Sequence, residues 1–395
     1  MSRISNFFSP GPVIRDTELP GVKLDFNFGA RLLVPEGDYH VRFTDLDTLN
    51  VLFDADISGT TATSIAKYYI RFRVELWKDG ERRIVHDLAL SGKNVHIAFP
   101  TGTLGDILAW FPHAAAFREK HSCNLYCSMQ REIAEILKPS YPEVRFIAPG
   151  DTVPDCYASY ALGLFSPSDR PVLCPVDHRT VGLWRCIPAI LGLEWEERRP
   201  VLTHSEKPAV SDPYVCIAVK STAYAKFWNN PYGWDEVTAC LKKKGYRVLC
   251  IDRERSMDVG KRTVSVPEGA EDFTGALPLQ ERIDLISHGD FFIGLSSGLS
   301  WLAWAAGVPV VMISGFTLPF NEFHTPYRVI NYHLCNGCWN DCSLRFDLKD
   351  FYACPRHKGT DRAYECTRFL TSGQVCRAID RLMEDHQLPH RHPVS

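Results

Sequence analysis

Six cysteines lie between Cys335 and Cys376, whereas the other eight are scattered over the first 334 residues. The crowded set opens with Cys335-Asn-Gly-Cys338, a C-x-x-C knuckle with Gly337 inside it. That spacing lets one tight turn present two thiolates to a single metal ion. A second pair must come from Cys342, Cys354, Cys366 and Cys376. Cys354 and Cys366 are the better pair. Cys342 is so near Cys338 that the turn would be strained, and Cys376 falls within a closing helical pattern. Four thiolates saturate a tetrahedral ion, so this site is expected to be structural rather than catalytic. Zinc suits such a set, and iron is also allowed.

Three other stretches carry residues able to do chemistry. "PTGTLGDILAWFP", Pro100–Pro112, follows the apolar "VHIAF" and places one carboxylate, Asp106, where a helix opens. Capping explains an aspartate there, and so does general-base work. In "DFFIGLSSGLSWLAWAAGVPVVM" a strand ends at Leu295, and Ser296-Ser297-Gly298 open a helix. Free N–H groups and the helix dipole at that point suit a phosphate, and Gly298 permits close approach. An ordinary serine-capped helix is the plainer reading. "STAYAKFWNNPYGW" puts Lys226 in an aromatic, polar loop after a strand. It can neutralise a diphosphate, or simply be a solvated lysine. Trp228 and Trp234 could stack on a sugar or base, but core packing is the expectation. Cys123 and Cys127 read as buried hydrophobes.

The elements that must position these residues follow from periodicity. In "VKLDFNF", Val22, Leu24, Phe26 and Phe28 alternate with Lys23, Asp25 and Asn27; in "IRFRVEL", Ile70, Phe72, Val74 and Leu76 alternate with Arg71, Arg73 and Glu75. Period two marks half-buried strands. "KDGE" at Lys78–Glu81 and "EGDY" at Glu36–Tyr39 read as turns. Residues 1–92 are therefore expected to form an all-β domain. From residue 93 strand and helix alternate, predicting a parallel sheet over 93–205. "RPVLTHSEKPAVSD" at Arg199–Asp212 reads as a linker. The alternation restarts, giving a second doubly wound domain over 206–330. A metal finger over 331–371 and a closing helix with tail over 372–395 complete the chain. The tail "HQLPHRHPVS" is expected to fray.

The two α/β domains should present their loops to one crevice. It would hold a carboxylate on one wall and a lysine and helix N-terminus on the other. That arrangement suits group transfer from a diphosphate donor. Asp106 would take a proton from an acceptor hydroxyl. Lys226 and backbone N–H groups would steady the leaving diphosphate. No catalytic divalent metal is called for.

With a net charge of −3 and 23% charged residues among 395, the chain lacks the bulk charge of a nucleic-acid or membrane-surface protein. The start, "MSRISNFFSPGPVIRD", has no apolar run fit for a signal peptide, and no 18-residue apolar stretch predicts a membrane span. A cytoplasmic protein is expected, in which a disulfide framework is the poorer account of fourteen cysteines.

These stretches together resemble a known group. "GTLGDILAWFP" is similar to the Gly-Asp turn of GT-B heptosyltransferases, which carries their general base. "STAYAKFW" resembles their phosphate-binding lysine loop, and "GLSSGLSWLAWAAGVPVVMISG" their nucleotide-binding strand–helix–strand. The resemblance implies substrate contacts at Thr103, Leu104, Gly105, Lys226, Ser296, Ser297, Gly298 and Leu299. Lipopolysaccharide-core members carry an acidic residue where this chain has Ser296. A β-rich front, a GT-B pair of Rossmann-like domains and a cysteine finger together resemble the bacterial autotransporter heptosyltransferases. That likeness implies an ADP-heptose donor, serine hydroxyls of an autotransporter adhesin as acceptors, inversion, iron in the finger and a dodecamer. Two rivals remain: another enzyme on the same scaffold, such as a nucleotide-sugar epimerase, and a non-enzymatic metal-finger scaffold.

Overall fold

The structure is a computed structural model that describes residues 11–211, 213–259, 262–344 and 353–389. The chain start, the middle of the finger and the histidine-bearing end of the tail lie outside the described residues. The chain divides into two compact units. The first holds residues 1–102, 110–178 and 185–198; the second holds 103–109, 179–184 and 199–395. Among the described residues no helix is long and apolar enough to cross a membrane.

The first unit contains a seven-stranded sheet in the order Arg145–Ile147, Asn124–Ser128, Asn94–Ala98, Cys156–Ala161, Lys23–Asn27, Arg31–Leu33, Thr61–Thr63. Its first five strands run parallel. The last two are antiparallel additions from the front of the chain. The expected boundary near residue 92 thus does not separate two sheets. Nor does Asp25 face solvent, as the alternation of "VKLDFNF" suggested: it is fully buried. Its carboxylate takes two parallel bonds from Arg31, both 2.7 Å. The reason is the parallel pairing of Lys23–Asn27 with Cys156–Ala161, whose residues are all buried, so polar side chains there need partners.

A four-stranded antiparallel sheet follows the expected alternation closely. Its order is Val51–Ile57, Tyr39–Asp45, Phe72–Lys78, Glu81–Asp87. Val41, Phe43, Val74 and Leu76 are completely buried, while Arg42 pairs with Asp54 and Arg73 with Asp87 on the exposed face. Asp79 and Gly80 turn the hairpin with φ of 53° and 76°, the left-handed pair a two-residue hairpin needs. The outer strand Val51–Ile57 is largely exposed.

The second unit is built on a six-stranded parallel sheet. The order is Glu271–Asp272, Arg247–Cys250, Tyr214–Ile217, Phe292–Leu295, Val310–Ile313, Arg328–Val329. Helices Gly233–Lys243, Leu279–Ser287, Gly298–Ala305 and Ser372–Asp385 accompany it. Residues 199–211 carry no regular element, as expected of the linker. The Ser372–Asp385 helix opens with a full capping box between Thr371 and Gln374. It sends Val375, Ile379 and Leu382 into the core shared with Val215, Ile217 and Ile293. Trp228 and Trp234 meet edge to face at 5.2 Å inside that core, so they pack rather than stack on a ligand.

Candidate functional site

The Leu104–His121 helix starts in the second unit, and only residues beyond Ala109 group with the first. Thr103 is the residue before it. Both the backbone N–H and the hydroxyl of Thr103 donate to Asp106 Oδ2, each at 2.8 Å. Asp106 is thus the acidic half of a capping arrangement. Among the described residues no donor reaches its other oxygen, Oδ1. Burial is the chief influence on the carboxyl and pushes its pKa above the ordinary value. The Thr103 bonds and the charge of Lys226 pull it partly back.

Gly105 explains how this turn approaches the next one. A Cβ there would lie 2.8 Å from the Trp301 ring and 3.3 Å from the Gly298 Cα. A Cβ on Gly298 would in turn lie 3.4 Å from that of Leu104. Two glycines let the Asp106 turn press on the N-terminus of the Gly298–Ala305 helix. Lys226 ends the short helical turn Tyr224–Lys226. The structure therefore brings Thr103, Leu104, Gly105, Asp106, Lys226, Gly298 and Leu299 into one unit.

Ser296 and Ser297 differ in their bonding. Ser297 occupies the N-cap position with φ −143° and ψ 168° but makes no capping bond. Its hydroxyl is buried without a hydrogen-bond partner among the described residues. Ser296 instead donates to Glu322 Oε1 at 2.5 Å. Glu322 also accepts from Asn321 at 2.9 Å and from Arg328 at 2.5 Å. Burial alone would raise this carboxyl, but Arg328, Ser296 and Asn321 hold it below its ordinary range. Sequence reasoning missed Glu322. Its only signal was one acid inside the apolar "TLPFNEFHTP".

The finger thiols are near enough to influence one another's ionisation. Cys338, Cys354 and Cys366 are buried, and Cys335 is half-buried. Desolvation first, and then the neighbouring thiols, push Cys338 and Cys366 each up to about 12. Cys335 is raised by desolvation and then by the charges of Glu365 and Cys354, with Arg356 opposing. Thiols that suppress one another's ionisation call for a cation if they are to be thiolates together, which fits a soft metal ion. Gly337 sits at φ +68°, and a Cβ there would meet Leu318 at 2.8 Å, so the knuckle requires glycine. Cys342 is exposed, and Cys376 lies on the Ser372–Asp385 helix, packed against the core of the second sheet. Sequence reasoning did not foresee His357 and Glu365, whose ligand atoms cluster with Cys335 Sγ within 4.8 Å.

Residues 187–346 match the model of glycosyltransferase family 9 (heptosyltransferase), and residues 20–80 match that of the glycosyltransferase TibC N-terminal domain. The site and the sheet around it thus sit on a mixed α/β heptosyltransferase scaffold. The chain is 50% identical over 383 residues to the autotransporter heptosyltransferase BAHTCr of Citrobacter rodentium, covering 96% of this chain and 93% of that one. It superposes on the crystal structure of TibC from enterotoxigenic E. coli H10407 with a TM-score of 0.91 at 48% identity, over 96% of this chain and all of that one. TibC is described there as an iron-containing dodecameric glycosyltransferase, and a second structure holds it with ADP-D-β-D-heptose. A further relative, BimC of Burkholderia thailandensis, is described as an inactive autotransporter heptosyltransferase; it is 41% identical over 91% of this chain and 85% of its own length. The chain belongs to the autotransporter heptosyltransferases.

Proposed function

We propose that this chain is an inverting, cytoplasmic protein O-heptosyltransferase of GT-B architecture. It moves heptose from ADP-heptose to serine hydroxyls of an autotransporter adhesin. The observation that carries the reading is the Asp106 turn itself, which Gly105 and Gly298 allow to pack on the N-terminus of the Gly298–Ala305 helix, in the same unit as Lys226. Ionised Asp106 accepts the proton of the acceptor serine as that oxygen attacks the anomeric carbon. The bond from that carbon to the diphosphate breaks, and ADP departs. Lys226 and the helix N–H groups offset the charge that develops on the leaving diphosphate. Raising the Asp106 pKa makes it the stronger base, and its two Thr103 bonds fix its plane.

Cys335, Cys338, Cys354 and Cys366 would hold one structural iron, with zinc as the chemical alternative. The metal would supply cross-linking of the finger, not chemistry on the sugar. The chain would assemble as a homo-oligomer, as dodecameric TibC does. The test is intact mass of an autotransporter adhesin co-expressed with this chain. Ladders of one-heptose increments, absent with Asp106→Asn, support the reading. Consumption of ADP-heptose without adhesin modification would favour an epimerase. No thermal shift with any ADP-sugar would favour a scaffold.

A further inference from the structure

The turn between the Phe292–Leu295 strand and the Gly298–Ala305 helix holds two adjacent serines whose protons are disposed differently. Ser296 is 5% exposed and Glu322 2% exposed, and the bond between them is 2.5 Å. A carboxylate only accepts, so the single Ser296 proton is committed to Glu322. The Ser296 oxygen keeps only lone pairs for any other partner. Such a group repels phosphate oxygens, which are acceptors too, and binds a donor such as a sugar hydroxyl. Ser297 differs: among the described residues its hydroxyl has no partner, and it stands free to donate.

Glu322 is held rigidly in this task. Arg328, only 6% exposed at its side chain, neutralises it. Asn321 donates to the same oxygen that takes Ser296. Asn321 is itself bonded at 3.3 Å by Asn340, which closes the helical turn begun by Cys338. The carboxylate is thus braced from the finger as well as from the sheet.

We propose that Glu322 is a positioning residue that makes Ser296 an acceptor-only contact for a hydroxyl of the donor's sugar, leaving the diphosphate to Ser297, the helix N-terminus and Lys226. This rests on the nucleotide-sugar reading above.

Calorimetry with ADP and with ADP-heptose on the full-length, metal-loaded chain tests it. Ser296→Ala leaves the Glu322–Arg328 pair intact and should fold. It is expected to weaken ADP-heptose roughly five- to tenfold, the worth of one hydrogen bond, while ADP changes by less than about twofold. In turnover the loss should fall on KM for the donor rather than on kcat. Glu322→Gln should reproduce the same selective loss, and the double variant should lose no more than either single one. Equal weakening of ADP and ADP-heptose, no change in Ser296→Ala, or multiplicative losses in the double variant would each overturn the proposal. Should Glu322→Gln fail to fold, Ser296→Ala alone decides. A wild-type chain that binds ADP-heptose no better than ADP and transfers nothing would end the underlying reading and this proposal with it; a wild-type chain that transfers while Ser296→Ala behaves normally ends only the proposal.

Discussion

Replacing Asp106 by asparagine separates its charge from its capping geometry. An amide oxygen still accepts the Thr103 N–H that now bonds Oδ2 at 2.8 Å, while the desolvated negative charge disappears. Burial raises the Asp106 pKa above its ordinary 3.8. A carboxyl with a raised folded pKa favours the fold below its unfolded pKa, and that contribution is lost as pH climbs through the folded value. Ionised Asp106 is therefore a burden on stability at neutral pH, worth about 1.4 kcal/mol for every tenfold by which folding weakens the acid. Asp106→Asn should be at least as stable as wild type near pH 7.5, and the difference should close as pH falls toward about 4. Asp106→Ala, which loses both Thr103 bonds, should be less stable than Asp106→Asn by about 1–2 kcal/mol. Transfer by the asparagine variant should fall roughly 10²- to 10⁴-fold, the usual worth of a general base. ADP affinity should hold or improve, since a negative charge near Lys226 is gone. Thermal unfolding across pH, ADP calorimetry and adhesin modification measure the three effects. An asparagine variant with transfer within tenfold of wild type would refute the base role. One clearly less stable than wild type near pH 7.5 would refute the argument from a buried charge.

Lys226→Ala should lower kcat/KM for ADP-heptose roughly ten- to hundredfold, the worth of a bond to a charged group. It should also move the acidic limb of the pH profile upward, because Lys226 now pulls the Asp106 pKa down; an unmoved limb would show the two are uncoupled in solution. Cys366→Ser should drop metal below about half an ion per chain by elemental analysis and lower the melting temperature, whereas Cys342→Ser, at an exposed position, should retain the metal. Leu49 and Val51 are 74% and 53% exposed beside the outer strand of the four-stranded sheet. If that edge joins subunits, Leu49→Lys with Val51→Lys should reduce the assembly's mass by native mass spectrometry without loss of helicity.

The alternating strand and helix patterns were legible because each parallel strand is a short apolar run between turn signals. The Asp79-Gly80 hairpin was legible because its residues tolerate positive φ. Asp25 was not. Period two says which side chains share a face, but not whether the opposite face is covered. Here the strand pairs with Cys156–Ala161, contributed by residues about 130 positions later. The short helices Arg170–Leu173, His178–Val181 and Cys186–Leu191 also escaped notice, since four to six residues give too little periodicity to read. The candidate site divides the same way. Asp106, Lys226 and Ser296 sit at strand or helix ends, where local grammar exposes them. Glu322 serves Ser296 across 26 positions, and only packing reveals that.

Capping and proton transfer are not competing accounts of Asp106. A base must hold one oxygen within bonding reach of the acceptor hydroxyl, and a freely rotating carboxylate does so only part of the time. Thr103 gives both its donors to Oδ2, which locks the plane; on the proposed reading, Oδ1 is the oxygen that would meet the substrate. The helix start thereby supplies the orientation that a catalytic acid–base pair takes elsewhere from a second carboxylate or histidine. The same two bonds oppose the rise that burial imposes on the pKa, and the net direction leaves the carboxylate more basic than an exposed aspartate. Gly105 then fixes where that oxygen lies relative to the Gly298 helix start, because any side chain at this position would hold the two turns apart. On the proposed reading, the feature that makes Asp106 look like an ordinary cap is the one that would fit it to take a proton.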